Sequence, residues 1–487
     1  MGSILKLSNV RKTVNYLKKN GITQAYYAAR ERMEEEKRDD YFYREPTEEA
    51  LAAQRKETTD YPYVFSIVVP AYETGEEFLR AMIASVRNQS YVKWELIIAD
   101  ASNSEAVEQL VQQIAEETED TRIKYVHLPE NKGISGNTNA GIDLAEGDYI
   151  ALLDHDDFIT PDALYYMAAK IRESMQQNVM PALLYSDEDK FEQSTEEYVS
   201  PHEKQEFNLD LILSNNYICH FTAVEAKLMK KLKLREEYDG AQDYDLVLRV
   251  VDYLQEQACG EKTHIPCLPG KWQESIVHIP RVLYHWRCHA DSTAENTASK
   301  AYAYEAGKAA LASFCEKQGW NVNVEHSLHL GFYDIFYVPD ILSVREDVGI
   351  VGGRILDRRG RICAGAYDEK GNCLFEGLSG HYSGGRTHRA VLKQECAAVD
   401  IRCMQLRTDL QSVFTQITGL PYQERTIRVK TKNGVQKERI ADISGLVCDE
   451  AGYRKLSMEL GRAVKNKGYR VLWNPILTLK DSGRCDF

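Results

Sequence analysis

Short apolar runs alternate with stretches of helical length between residues 65 and 154. The apolar runs are FSIVVP (65–70), WELIIAD (94–100), IKYVHLP (123–129) and DYIALLD (148–154). The stretches between them cover 76–89, 104–118 and 135–145. Strands that alternate with helices predict right-handed crossovers and an α/β fold with a mostly parallel sheet. Because the runs are continuously apolar, we expect helices on both faces of that sheet.

Polar side chains lie at the ends of three of these runs. Tyr72 and Glu73 follow the first run. Asp100 ends the second run and Asp154 ends the fourth. In open parallel sheets, ligands bind beyond the carboxyl ends of the strands. The sequence therefore predicts a binding site at this edge of the sheet.

The fourth run leads directly into the titratable group Asp154, His155, Asp156 and Asp157. Adjacent carboxylates repel, and each raises the cost of ionising the next. Such a group is tolerable in a solvated loop, or where a cation lies among the charges. If the chain stays extended here, Asp154 and Asp156 point to the same side and His155 points elsewhere. Two carboxylates can then face one ligand.

Composition restricts the class of protein. The chain has 487 residues, enough for roughly two to four domains, and 43% of them are hydrophobic, so large cores can form. The net charge of −14 argues against nucleic acid as a partner. No apolar run reaches the ~18 residues of a membrane span. Eleven dispersed cysteines indicate reduced thiols and a cytoplasmic protein.

Residues 1–60 form a predicted helical, basic N-terminal extension. Residues 1–30 hold six basic side chains and no acid, with apolar residues near helical spacing. This segment is either an amphipathic helix, peripheral on the cytoplasmic face of a membrane, or a helix packed on the body of the protein. Tyr61-Pro62 marks the next boundary.

Eight segments resemble family 2 glycosyltransferases, in the order seen in that family. They are FSIVVPAYE, WELIIADAS, NKGISGNTNAGI, GDYIALLDHDD, YSDEDK, SNNYICH, GAQDYDLVLRV and IPRVLYHWR. The resemblance implies a glycosyltransferase A type nucleotide-binding domain, which we place at 61–325. The forms YSDEDK and LYHWR are similar to those of bacterial enzymes that build surface polysaccharides.

The resemblance also implies roles for individual residues. Asp243 matches the general base. Asp156 and His285 match ligands of a metal, Mn²⁺ or Mg²⁺. The donor-binding positions are Pro70, Ala71, Tyr72, Glu73, Asp100, Asn131, Gly133, Asn139, Asp154, His155, Asp156 and Arg287. The acceptor-side positions are Asp187, Glu188, Asp189 and Trp286.

These residue types suit the implied chemistry. A carboxylate within hydrogen-bond reach takes the proton of a sugar hydroxyl as the new bond forms. A divalent cation offsets the charge that grows on the leaving nucleoside diphosphate. One base and direct displacement give inversion at the anomeric carbon. The implied partners are a UDP- or dTDP-linked sugar and a glycan or lipid-linked saccharide acceptor.

Three features have simpler explanations. Asp243 and Asp245 are acids that would favour the first turn of any helix. His285 has the alternative of a satisfied core histidine beside Trp286. A zinc site is suggested by three cysteines and one histidine: Cys259, His264, Cys267 and Cys288. Their spacing fits no standard zinc pattern, so we expect ordinary thiols.

Residues 331–487 resemble the later half of a second family 2 domain. Alignment of VGIVGGRIL and GYRVLWNPI with the first domain puts Ser457 at the position of Asp243 and Lys480 at that of His285. Neither residue replaces the base or the metal ligand. We therefore expect a degenerate half-copy that packs on the first domain, forms a homodimer or holds the growing glycan.

Two other classes compete with an inverting glycosyltransferase. One is a non-catalytic glycan-binding or scaffold subunit of a polysaccharide assembly complex, which the presence of Asp156, Asp243 and His285 argues against. The other is a nucleotidyltransferase, which would require a glycine-rich, basic phosphate loop after the first strand. That position holds the acidic segment PAYETGEE.

Overall fold

The computed structural model describes residues 7–36, 40–259, 270–288, 297–431 and 434–480. Its α-helices are α1 Leu7–Glu36, α2 Glu48–Glu57, α3 Glu76–Arg87, α4 Ala106–Thr118, α5 Gly133–Leu144, α6 Ala163–Gln176, α7 Leu209–Ile212, α8 Ala226–Leu232, α9 Gln242–Cys259, α10 Lys271–Glu274, α11 Thr297–Lys317, α12 Ile341–Val344, α13 Gln411–Thr418 and α14 Glu450–Asn466. Its strands are β1 Phe65–Ala71, β2 Trp94–Asp100, β3 Ile123–His127, β4 Tyr149–Leu152, β5 Phe158–Ile159, β6 Leu183–Glu192, β7 Glu197–His202, β8 Thr222–Glu225, β9 Ile276–Cys288, β10 Val322–His326, β11 Tyr333–Tyr337, β12 Val348–Leu356, β13 Ile362–Ala364, β14 Ala366–Tyr367, β15 Gln394–Glu395, β16 Ala398–Val399, β17 Met404–Leu406, β18 Glu424–Thr431, β19 Gly434–Ala441 and β20 Arg470–Lys480.

A nine-stranded sheet organises the first unit, residues 61–337. Its order is β3-β2-β1-β4-β8-β6-β9-β5, and β7 pairs with β6. Strands β1, β2, β3 and β4 are parallel neighbours, and β6 and β9 form a second parallel pair. Strand β8 runs antiparallel to both β4 and β6, so these two parallel groups point the same way. The predicted α/β fold with a mostly parallel sheet is confirmed.

Helices cover both faces of this sheet, as the apolar runs predict. Val68, Ile97 and Ile150 point into a core that also holds side chains of α5, α8, α9 and α11. Their strand neighbours point into a second core with α3, α4 and α6. Helix α5 lies close to β1 because Gly141 faces Val68, where a Cβ would lie 2.5 Å from Cγ1.

Helix α1 packs against the C-terminal part of the chain. It is kinked at Gly21, where φ is +79°. Tyr27 stacks on His381 with ring centroids 4.3 Å apart. Glu31 accepts hydrogen bonds from the backbone N–H groups of Ser383, Gly384 and Gly385. For residues 21–35 the structure therefore shows the packed helix, whereas the side chains at 1–16 and 18–20 lie outside those that are described.

A hairpin of β10 and β11 connects to the last third of the chain. Its two strands pair antiparallel, and side chains of β11 belong to the core of the first unit. The predicted division between 325 and 331 thus falls within this hairpin, and the domain limits stay a prediction. A five-stranded sheet of order β13-β12-β20-β15, with β17 on β12, forms the C-terminal unit, residues 348–480.

Two whole-chain expectations have different outcomes. No described helix is long and apolar enough to cross a membrane. Eight of the described cysteines are outside disulfides, but Cys259 is disulfide-bonded. The expectation of reduced thiols throughout is therefore wrong at Cys259.

Candidate active site

The strand ends that sequence analysis singles out meet at one edge of the sheet. Ala71 is level with Asp100 in the β1–β2 pair, and Asp100 is level with His127 in the β2–β3 pair. Leu152, the last residue of β4, pairs with Val68 of β1. Asp154 lies two residues further on. The first four strands therefore deliver their polar ends to a common rim.

The β1 and β2 ends form one hydrogen-bonded group. Asp100 is fully buried and accepts from the Ser102 hydroxyl at 2.5 Å and from the Tyr125 hydroxyl at 2.8 Å. Glu73 accepts from the backbone N–H of Asn103 at 2.8 Å, and this hydrogen bond lowers its pKa. Tyr72 stays 44% exposed. Asp100 and Glu73 thus shape this wall, and Tyr72 presents an open ring beside them.

The chain turns after β4 instead of remaining extended. The N–H of Asp157 donates to the carbonyl of Asp154 at 3.3 Å. The premise that residues 154 and 156 point the same way along a strand is therefore wrong. The side chain of Asp154 is 42% exposed. Loss of water around it and the charge of Asp156 raise its pKa.

Asp157 anchors this turn from inside the protein. It is 1% exposed and accepts from the Tyr284 hydroxyl and from the backbone N–H of Arg287. Burial and the neighbouring acids raise its pKa well above the usual range. The Arg287 guanidinium donates to the Asp156 carbonyl at 2.7 Å and to Gln193 at 2.6 Å, and is 4% exposed. Arg287 holds the turn, and this geometry does not support its predicted contact with a diphosphate.

His220 is a site residue to which the sequence analysis assigned no role. Its Nε2 lies 3.7 Å from Asp154 Oδ2, and its ring stacks on Tyr284. Burial lowers its pKa, but Glu188, Asp154 and Asp157 outweigh burial and raise the pKa to about 10. The imidazole is therefore cationic near neutral pH. Its place in the quoted segment SNNYICH was the available signal.

The three acids of YSDEDK are buried and paired. Asp187 accepts from His278 at 2.8 Å. Glu188 accepts from the fully buried Lys204 at 3.0 Å. Asp189 accepts from His285 at 2.6 Å. All three are at most 6% exposed, so they support the site from behind, and the predicted acceptor-side contact does not fit this conformation.

Trp286 lies on the side of β9 that faces His220. Its ring is 6.1 Å from the His220 ring, and the Lys190 ammonium lies 4.7 Å above it. It is only partly buried. Of the four acceptor-side predictions, Trp286 is the one whose position allows contact with a sugar.

Asp243 lies in the first turn of α9, near Asp154. Its Oδ2 accepts from the side-chain amide of Asn216 at 2.7 Å, and its charge contributes to the raised pKa of Asp154. Asp245, two residues on, is 1% exposed and paired with Arg235 and Arg249. The carboxylate of Asp243 is therefore held by a neutral donor, whereas that of Asp245 is neutralised by two guanidinium groups.

His285 does not join this group. It is 1% exposed, and its ring contacts Tyr43, Phe158 and Tyr198. Its Nδ1 bonds to Asp189, which also accepts from the Tyr41 hydroxyl at 2.6 Å. The alternative of a satisfied core histidine describes this geometry, and we do not retain His285 as a metal ligand.

The predicted donor loop is held by its own polar groups. Asn131 accepts from the N–H of Gly133 at 3.0 Å. Gly133 has φ +76°, and a Cβ there would lie 2.3 Å from Asp239 Oδ2. Both amide atoms of Asn139 bond to the backbone of Leu234 at 2.8 Å. These residues fix the position of α5 relative to the rim.

Comparison with known proteins identifies the family. The model of glycosyl transferase family 2 matches residues 66–233. A protein of Escherichia coli, assigned as the colanic acid biosynthesis glycosyl transferase WcaA, is 34% identical over 209 residues, covering 42% of this chain and 71% of WcaA. The chain belongs to glycosyl transferase family 2. Its first unit is accordingly a glycosyltransferase A type nucleotide-binding domain.

Other similar proteins are longer or more distant. The O-antigen biosynthesis protein RfbC of Myxococcus xanthus is 30% identical over 283 residues, which is 58% of this chain. The chain spans 20% of the length of RfbC and 25% of the length of another such relative. The structure of TarS of S. aureus with UDP-GlcNAc has 17% identity and a TM-score of 0.37, over 52% of this chain and 70% of that one.

Proposed function

We propose that the protein is an inverting, metal-dependent glycosyltransferase that moves a sugar from a nucleotide-sugar to a glycan or lipid-linked acceptor in cell-surface polysaccharide biosynthesis. One observation carries this proposal: Asp154, His220 and Asp243 lie in one region, and among the described residues Asp243 forms no ion pair. Family membership and the names of WcaA and RfbC support the reaction class and the pathway.

Asp243 is the proposed general base. A carboxylate bound to guanidinium groups, such as Asp245, is a poor base because proton uptake would break its ion pairs. Asp243 instead loses one hydrogen bond from Asn216 when it takes a proton. The acceptor oxygen forms a bond to the anomeric carbon, its proton passes to Asp243, and the bond to the diphosphate oxygen breaks with its electron pair. One displacement gives inversion.

Asp154, Asp156 and His155 are the proposed donor side of the site. Asp154 would contact the ribose. The Nδ1 atom of His155 is buried and has no hydrogen-bond partner among the described residues, so it can bond to a bound donor. Pro70, Ala71, Tyr72 and Glu73 would form the wall against the nucleotide base.

The donor set at the rim fits a cation shared with substrate. Among the described residues, no three His, Cys, Asp or Glu side chains could hold a metal by themselves. Mg²⁺ and Mn²⁺ accept one or two carboxylates, with phosphate oxygens and water as the remaining ligands. Asp156 would hold such an ion, which would offset the negative charge on the departing diphosphate.

The C-terminal unit is proposed to be a degenerate, catalytically silent half-copy. Ser457 is 1% exposed and donates to the Tyr453 carbonyl at 2.7 Å, so it is a core residue. Lys480 is exposed at the end of β20. Placement of the chain on a membrane and a homodimer both stay predictions.

Asp243→Asn tests the base. We expect UDP binding to persist and transfer to fall by about 10²–10⁴-fold. A panel of UDP- and dTDP-sugars with Mn²⁺ would first identify the donor by thermal shift. Near wild-type transfer by Asp243→Asn would exclude it as the base. Absence of binding to every nucleotide and nucleotide-sugar would instead favour the scaffold alternative.

A further inference from the structure

A buried chain of ion pairs joins the C-terminal unit to α7 of the first unit. Arg345 donates to Asp210 of α7 at 2.9 Å and to Asp347 at 2.7 Å. Arg470 donates to Asp347 at 2.8 Å and to Glu395 at 2.7 Å. Glu395 is 20% exposed, and the other four side chains are at most 6% exposed. Charges so buried are held in fixed geometry because each depends on its partners.

Glu395 completes this connection by binding the start of α7 directly. Its Oε1 accepts from the N–H of Leu209 at 2.9 Å. Its backbone N–H and carbonyl bond to the two amide atoms of Asn208, each at 3.0 Å. Asn208 is the N-cap of α7, since its side chain also accepts from Leu211. The C-terminal unit therefore fixes the first turn of this short helix.

Helix α7 leads within four residues to Asn216. Ser214, on the way, donates to the Lys393 carbonyl of the C-terminal unit at 3.4 Å, and its own carbonyl accepts from Tyr333 at 2.8 Å. Asn216 then donates to Asp243. A shift of α7 would move Asn216, because the segment that connects them is short.

We propose that Glu395 is a positioning residue for the transfer step. By holding α7 it sets the Asn216 amide against Asp243, although Glu395 itself touches no reacting atom. The inference rests on the proposed function, in which Asp243 is the base. It assigns the C-terminal unit a role in turnover and predicts that loss of Glu395 lowers kcat with little change in donor KM.

Hydrogen exchange tests the mechanical part. In Glu395→Ala we expect the amides of 209–219 to exchange at least about tenfold faster than in wild type. Glu395→Gln, whose side-chain oxygen can still accept from Leu209, should restore most of the protection. The matched control is Glu369→Ala in the same unit, where Glu369 is 80% exposed in its ion pair with Lys465. Unchanged hydrogen exchange at 209–219 in Glu395→Ala would overturn the inference, whether or not Asp243 is the base.

A double-mutant cycle tests the functional part. Turnover is followed as UDP release from whichever of UDP-glucose, UDP-galactose or UDP-N-acetylglucosamine the wild-type protein hydrolyses or transfers. If Glu395 acts through Asn216, Glu395→Ala in an Asn216→Ala background lowers kcat no further. Effects of the two changes that multiply would mean independent action and would overturn the inference.

The two proposals fail differently. Full transfer by Asp243→Asn would overturn the proposed base, and the kinetic role of Glu395 would fall with it. Faster exchange of 209–219 in Glu395→Ala does not depend on which residue is the base. Normal kinetics in Glu395→Ala, together with loss of transfer in Asp243→Asn, would overturn the inference and leave the proposed function intact.

Discussion

Lys204 offers the sharpest test of the buried charges behind the site. Its side chain is completely buried, and its ammonium donates to Glu188 at 3.0 Å, to the Ile218 carbonyl at 2.5 Å and to the His220 carbonyl. Lys204→Met keeps an apolar stem of similar length but removes all three donors. The Glu188 carboxylate, 8% exposed, then loses its strongest partner.

The size of the effect follows from these contacts. Removal of one partner from a buried ion pair costs about 3–5 kcal/mol. Each buried carbonyl that loses its donor adds about 1–3 kcal/mol, but these costs overlap. His220 offsets part of the loss because its Nδ1 stays 3.5 Å from Glu188. We therefore expect Lys204→Met to lower the free energy of unfolding of the first unit by about 4 kcal/mol.

Urea unfolding in a Trp473→Phe background measures this quantity. The chain has five tryptophans, and the other four lie in the first unit, with Trp94 and Trp272 buried in its two cores. Fluorescence then reports the unfolding of that unit alone.

Two further variants separate the causes. Adding Glu188→Gln to Lys204→Met should recover at least about 1 kcal/mol, because the uncompensated charge is then removed. Lys227→Met, at an exposed lysine of α8, should change stability by at most about 0.5 kcal/mol. A loss below about 1 kcal/mol in Lys204→Met, or no recovery in the double variant, would refute this account of the Glu188 charge.

Three other outcomes can be measured. Burial raises the pKa of Asp347, but two arginines outweigh burial and hold the pKa at about 2. The stabilisation from this ionised carboxylate, about 2 kcal/mol, is present above about pH 4 and is lost as the pH falls towards 2. In urea titrations, the stability advantage of wild type over Asp347→Asn should therefore shrink across that pH interval. Glu31→Ala removes the acceptor of three backbone N–H groups and should speed proteolysis of residues 21–36, whereas Met33→Ala should not. Titration calorimetry of UDP with Mn²⁺ should show affinity reduced at least about tenfold by EDTA or by Asp156→Ala, and equal affinity under all conditions would contradict a shared cation.

The sheet could be predicted because its signal is local. Each of the four apolar runs is a strand within two residues, and each helical stretch is a helix. A strand that is buried on both faces needs apolar side chains at successive positions, and such a run can be recognised in the sequence. The rim followed from topology, since the carboxyl ends of parallel neighbours lie together.

The partners of individual side chains could not be predicted this way. His285 and Trp286 are adjacent in β9, so they point to opposite faces of the sheet. The register of β9 shows that Trp286 lies on the same face as Tyr284, towards His220, while His285 faces Asp189 and Tyr43. Resemblance to the family motif identifies both residues, but it does not show which face of the sheet each side chain occupies.

Acids in and behind the site fall into two groups according to their partners. Asp187 and Asp189 each bond to a buried histidine ring, and Asp245 bonds to two arginines, so that proton uptake by Asp245 would break its ion pairs. Asp154 and Asp243 are less enclosed, the first 3.7 Å from an imidazole and the second held by an amide. A base must gain a proton and release it in every cycle, so its partners have to tolerate both states. For the proposed base Asp243, the partner Asn216 tolerates both states, because an amide carries no charge that protonation of Asp243 would leave unpaired. The same reasoning explains why a chain can follow a buried strand with several carboxylates: Asp157 is stabilised from inside by Tyr284 and Arg287, while Asp154 stays partly exposed at the rim.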